Sequence, residues 1–306
     1  MRLQLGINTC FAVKRWPRPE DWAPVVRSEL GLRVVQHSFD LADPAAPSDR
    51  VATQAAALRA AVETHDLSLH STFTGLAAYS ANLLLAPEAE ERDAAEGWLQ
   101  SAVGFSAEVG ARATGGHVGC FSVPDWQDPA RRAELWSGLQ GALGRLATDA
   151  RTAGLEYLVV ENLAVAREPS TMAMIRDLLD DGADDRVPIR LCLDLGHMCV
   201  PGTSGADRDP YAWLRELGRS APMIQLQQSD AEGDHHWPFT AEKNAIGRIS
   251  ADRVLDALGE SGVEEGVLLL EVIPPFEQAE SAVLGELQAS VEYWREALVR
   301  HGVLAE

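Results

Sequence analysis

Lysine is nearly missing from this chain. Lys14 and Lys243 are the only two in 306 residues, and Lys plus Arg reach 26 against 46 Asp plus Glu. The formal charge of −20 argues against nucleic acid and against an anionic membrane as partners, because both would repel so acidic a surface. Cysteine is sparse too: Cys10, Cys120, Cys192 and Cys199 show no C-x-x-C spacing, which removes zinc ribbons and dithiol redox motifs and fits a reduced, cytoplasmic protein. No apolar run approaches the roughly 18 residues of a membrane helix, and MRLQLGIN lacks the charged leader and apolar stretch of a targeting segment. The glycine loops that cradle phosphates, GxxxxGK(S/T) and GxGxxG, are absent, as is the GxSxG of a serine hydrolase. No low-complexity linker divides the chain, so residues 1–306 read as one domain.

What is present is rhythm. Eight short apolar runs, Leu3–Asn8, Leu32–His37, Leu67–His70, Ala113–His117, Tyr157–Glu161, Ile189–Asp194, Met223–Gln227 and Val267–Val272, alternate with longer Ala/Leu/Glu/Arg stretches of helical period. Their starts lie roughly 30 to 45 residues apart, room for one crossover helix each time. The pattern predicts an α/β fold, a single (β/α)8 TIM barrel, with an open doubly wound sheet as the alternative. Ser48 is expected to cap a helix over Asp49–Thr64, Asp209 one that starts at Pro210, and Ser250 one that runs to Gly259.

In such a barrel the functional residues sit where strands end, at the C-terminal face. Glu161, Asp194, Gln225 and Glu271 fall near the ends of strands five to eight, with His197 one turn beyond Asp194. Three buried carboxylates would repel one another and raise each other's pKa, and a cation resolves that conflict. Two glutamates, an aspartate and a neutral amide suit a hard or borderline divalent ion: Mn²⁺ foremost, Mg²⁺ or Co²⁺ otherwise. The alternative is that each acid only accepts hydrogen bonds from the barrel backbone. His197, so close to Asp194, is expected to hold a substrate oxygen beside the metal.

Around these, Asn8 ends strand one, His70 strand three and His117 strand four, and all three are candidate substrate contacts. The loop after strand seven, DAEGDHHWPF, adds His235, His236 and Trp237. Both lysines, together with Arg15, are expected on the same face, where they could hold an anionic group such as a phosphate.

The set Glu161-Asn162, Asp194-x-x-His197, a ligand from strand seven and Glu271 resembles the xylose-isomerase-like sugar phosphate isomerase/epimerase superfamily, over the whole chain from LGINT to EVIPP. LGINTCFAVKRWP and QQSDAEGDHHWPFT resemble a branch acting on short ketose phosphates, of the erythrulose-1-phosphate 3-epimerase type. The resemblance implies a metal-dependent epimerase or isomerase of a small sugar or sugar phosphate, with proton abstraction next to the carbonyl and a metal-stabilised enediolate. Glu161 and Glu271 would be the acid/base pair. Homo-oligomers are common in that family. One departure stands out: the family supplies a histidine from strand seven, and the matching position here is read as Gln225, with Gln227, Asp230 or His236 as neighbours able to take part. Two other functions stay open, a lyase or dehydratase sharing the same proton abstraction, and an inactive barrel serving as a binding or partner subunit.

Overall fold

The computed structural model describes residues 1–305. Eight parallel strands close into a barrel in chain order: β1 (Arg2–Asn8), β2 (Val34–Ser38), β3 (Ser68–Phe73), β4 (Ala113–Gly116), β5 (Tyr157–Glu161), β6 (Ile189–Asp194), β7 (Met223–Leu226) and β8 (Glu265–Leu270). β1 closes the ring by pairing with both β2 and β8. The predicted TIM barrel is the observed fold, and no helix among the described residues is long and apolar enough to cross a membrane.

Alternation along each strand sorts the residues into two layers. Leu191 and Leu193 of β6, Ile224 and Leu226 of β7, and Leu268 and Leu270 of β8 face outward and pack under the helices. Val34, Phe73, Ala113, Tyr157, Val159, Cys192, Met223, Val267 and Leu269 face inward and fill the barrel. The same inward parity carries β5 from Val159 to Glu161, β6 from Cys192 to Asp194 and β8 from Leu269 to Glu271. The barrel is therefore apolar through its middle and becomes acidic at the C-terminal mouth, which is where chemistry sits in this architecture.

Several expectations about boundaries change. β3 continues through Ser71, Thr72 and Phe73, three residues past the predicted end, because short Ser and Thr side chains pair as readily as apolar ones here. Thr72 faces outward, bonded to Ser106 at 2.5 Å and Thr114 at 2.7 Å. The helix Ser48–Thr64 begins at Ser48 itself with Pro47 in the capping position, so Ser48 is not the cap. Asp209 does cap, accepting from the Tyr211 amide at 3.0 Å. Ser250 stands at the cap of Ala251–Ser261 without a side-chain bond, and that helix runs two residues past Gly259.

Candidate active site

The three carboxylates converge, and each is held by different partners. Asp194 ends β6 and turns sharply: the Gly196 amide donates to its Oδ1 at 2.6 Å. Asn162, just beyond β5, clamps the Asp194 backbone from both sides, donating to its carbonyl at 2.9 Å and accepting from its amide at 2.8 Å. Glu271 receives the amide groups of Asn8 at 2.9 Å and Gln225 at 2.7 Å on Oε1. Glu161 receives the hydroxyl of Tyr79, within 3.0 Å of both its oxygens. All three carboxylates are buried.

His197 is brought in by the same turn. Its Nδ1 lies 2.7 Å from the Asn162 carbonyl, an arrangement that makes Nδ1 the donor and leaves Nε2 facing the site. Nε2 is 3.3 Å from Asp234 and 4.0 Å from Asp194. Asp234 also contacts His236 Nε2 at 3.2 Å. Three overlapping trios result, Glu161–Asp194–His197, Asp194–His236–Glu271 and His197–Asp234–His236, and the donor atoms within each trio lie inside 4.8 Å of one another.

Electrostatics follow from this crowding. Burial, with Asp194 adding to it, pushes Glu161 up to about 8. Burial also raises Glu271 well above the carboxylate range, with Asp194 and Glu161 adding repulsion. Burial alone would lower His197, but Asp194, Asp234 and Glu161 outweigh it and raise it well above the usual imidazole value. Asp234 is lowered despite its burial by His197 and His236. Glu271 Oε2 is buried without a hydrogen-bond partner. An unpartnered oxygen among mutually repelling carboxylates fits a divalent cation, which would neutralise the charge and use the free lone pair.

The strand-seven position needs correction. Gln225 turns its amide nitrogen to Glu271 and to Gln36 Oε1 at 3.0 Å, while its own Oε1 is buried without a partner. It belongs to a layer of amides with Asn8 and Gln36 beneath Glu271, and it buttresses that carboxylate. Gln227, two residues on with the same inward parity, sits among the donors: its amide nitrogen is 3.1 Å from Asp194 Oδ1 and 2.7 Å from Asp234, and its oxygen accepts the His236 amide at 2.6 Å. Gly196 leaves the room, since a Cβ there would land on the Gln227 amide.

The expected substrate contacts divide. Asn8 and His236 line a cavity of about 230 Å³ together with Asp40, Tyr79, Asp234 and Glu271. His117 is buried beside it, 3.1 Å from Glu168 and edge-on to Tyr79 at 4.7 Å. His70 is a second correction: the extra length of β3 places it low in the barrel, bonded to the Tyr157 hydroxyl at 3.2 Å beside a cavity lined by Arg2, Gln4 and Arg112, away from the mouth. Arg15 is a third, because its guanidinium is spent on the carbonyls of Pro275, Phe276 and Gln278 and pins the segment after β8. His235 stacks flat on Trp237 at 3.9 Å and pairs with Asp230, turned from the carboxylates. Lys14 lies 4.1 Å over Phe276, and Lys243 lies 4.6 Å over Trp237. Asp40, Asp234 and Tyr79 were not singled out from the sequence. Asp234 adjoins the flagged His235-His236 pair, whereas Tyr79 sits in a stretch with no periodic signal.

A D-erythrulose 1-phosphate 3-epimerase of Brucella abortus (strain 2308) is 28% identical over 299 residues, covering 96% of each chain. A Rhodospirillum rubrum protein provisionally named a xylose isomerase has a solved structure that matches with a TM-score of 0.88 and 33% identity, over 96% of this chain and 99% of that one. D-psicose 3-epimerase of Clostridium cellulolyticum H10 shares the fold, with a TM-score of 0.69 at 15% identity over 96% of this chain and 99% of that one. The model of the xylose isomerase-like TIM barrel family matches residues 26–296, and the chain belongs to that family.

Proposed function

We propose that the protein is a metal-dependent 3-epimerase of a short ketose or ketose phosphate. The observation that carries this reading is the pair of overlapping clusters Glu161–Asp194–His197 and Asp194–His236–Glu271, their carboxylates buried, with Glu271 and His236 lining a cavity of about 230 Å³. The name of the Brucella relative supports the substrate class.

Glu161 and Glu271 stand on β5 and at the end of β8, and approach the centre from different directions. One takes the proton from the carbon beside the carbonyl and the other returns it on the opposite face, which inverts that carbon. Burial and mutual repulsion raise both carboxyls above the usual carboxylate range, which makes each a stronger base for this exchange. His197 orients a substrate oxygen through Nε2. Glu161, Asp194 and Glu271, with Gln227 or His236, are the residues that would hold a divalent ion, Mn²⁺, Mg²⁺ or Co²⁺. When bound, such an ion supplies Lewis-acid polarisation of the substrate carbonyl. Three of the cavity's lining residues are carboxylates and none is Lys or Arg. A phosphate is therefore directed outward, toward the rim where Lys14 and Lys243 lie.

The test is incubation with Mn²⁺, Mg²⁺ or Co²⁺ and short ketoses or ketose phosphates in D₂O, followed by NMR. Deuterium is expected at the carbon next to the carbonyl, together with the epimer. Absence of exchange with every ion and substrate would sink the proposal.

A further inference from the structure

Of the three carboxylates at the centre, Glu161 is held differently from the others. Glu271 is oriented by two amides, Asn8 and Gln225, and Asp194 by the Gly196 backbone and Gln227. Among the described residues, the only hydrogen-bond donor on the Glu161 carboxylate is the Tyr79 hydroxyl, at 3.0 and 2.9 Å from its two oxygens. His197 Nδ1 is farther, at 3.5 Å, and is already engaged with Asn162.

Tyr79 is presented by a single turn, Leu76–Ser80, after β3. That turn is fastened by Asp40, whose carboxylate accepts the Leu76 amide at 2.8 Å and the Ala77 amide at 3.3 Å and is steadied by the Ser38 hydroxyl at 3.0 Å. The fit is close: a Cβ on Gly75 would land on the Asp40 carboxylate. The Tyr79 ring packs edge-on against His117 and is 37% exposed, so it separates solvent from the carboxylate that its hydroxyl holds.

We propose that Tyr79 is a positioning residue for proton transfer: held through Asp40 and the Leu76–Ser80 turn, its hydroxyl aims the Glu161 carboxylate at the substrate carbon. This rests on the reading of Glu161 as one of the two proton-transferring groups. Among the described side chains Tyr79 is the one donor that fixes the direction of this buried carboxylate, and proton transfer depends steeply on that direction.

Two variants and two measurements test it. Tyr79→Phe keeps the ring against His117 and removes only the hydroxyl. A hydrogen bond to a charged group corresponds to a roughly ten- to hundredfold fall in kcat, with KM held within about threefold because the wall of the cavity is unchanged. Gly75→Ala keeps the hydroxyl but drives the turn off Asp40, and the same fall in kcat is expected. Crystal structures of wild type and Tyr79→Phe supply a readout independent of turnover, in which the Glu161 carboxylate is expected to leave its present orientation. An unmoved Glu161 in Tyr79→Phe, or kcat within about twofold of wild type in either variant, overturns the proposal. If wild type itself exchanges no proton with any substrate, the epimerase reading falls, and the pair of crystal structures still decides whether Tyr79 positions Glu161.

Discussion

Replacing Glu161 by glutamine is expected to inactivate the enzyme and, in the metal-free protein, to stabilise it. Burial holds the Glu161 carboxyl at about 8 against an ordinary value of 4.5. The folded state thus keeps a proton that the unfolded chain releases, and the contribution of this group to stability is full below pH 4.5 and is lost as pH rises from 4.5 to about 8. At pH 7 the unfolded state has gained from ionising over two and a half pH units, at about 1.4 kcal/mol each, or about 3.5 kcal/mol in all. Glutamine has nearly the same shape, offers an oxygen to the Tyr79 hydroxyl and does not ionise, so Glu161→Gln recovers that amount at pH 7 and almost none near pH 4.5. With an unfolding entropy of about 2 cal/mol/K per residue, a chain of this length should melt about 5 °C higher. Calorimetry in the presence of a chelator at pH 5 and pH 7 measures it. Mn²⁺ at about 1,000 times its Kd should reverse the order, since it stabilises wild type, which keeps all its ligands, by about 4.1 kcal/mol. A variant that melts no higher than wild type at pH 7 without metal, or that gains equally at both pH values, would refute the argument that burial and repulsion govern this carboxyl.

Two further perturbations probe the corrected positions. Gly196→Ala places a methyl group on the Gln227 amide and is expected to cost about 1–3 kcal/mol in urea unfolding and to weaken metal binding in the same variant; an unchanged midpoint would show that Gln227 is not held by that turn. His70→Gln is expected to leave kcat/KM within about twofold, because His70 lies low in the barrel beside Tyr157. Burial holds His70 near 4, so it is neutral in the folded protein, and its contribution to stability, present above pH 6.5, is lost as pH falls from 6.5 toward 4; acid titration of the His70→Gln unfolding midpoint should lack that component.

Much of the centre is legible in the sequence. β5 and β6 were placed at their observed bounds because YLVVE and IRLCLD are apolar or β-branched runs that stop at a carboxylate, a pattern that belongs to a buried parallel strand ending at a mouth. β3 runs three residues past the expected end at His70, through Ser71, Thr72 and Phe73, and His70 therefore sits low in the barrel instead of at its mouth. The histidine pair His235-His236 was flagged as one unit, yet the structure sends His236 into the carboxylates and His235 onto Trp237. Adjacent residues in a loop have no parity to separate them.

The sequence by itself determined the βα rhythm and the placing of Glu161, Asp194 and Glu271 at strand ends, because apolar runs and their spacing are local properties, whereas closure of the barrel over an open sheet and the inward parity of the acids came from the structure. It also determined the Asp194–His197 turn, where Gly196 and a short separation leave few conformations. Tertiary structure decided the rest. Gln225 and Gln227 share one parity, and only the register of β7 against β8, with Leu226 opposite Leu270, puts Gln227 at the level of Glu271 and Gln225 a layer below. Tyr79 and Asp234 reach the site across 82 residues from Glu161 and 37 from His197, through loops whose course depends on anchors such as Asp40 that no spacing announces. The carboxylates come from strand periodicity, and the groups that aim them come from contacts between segments distant in sequence.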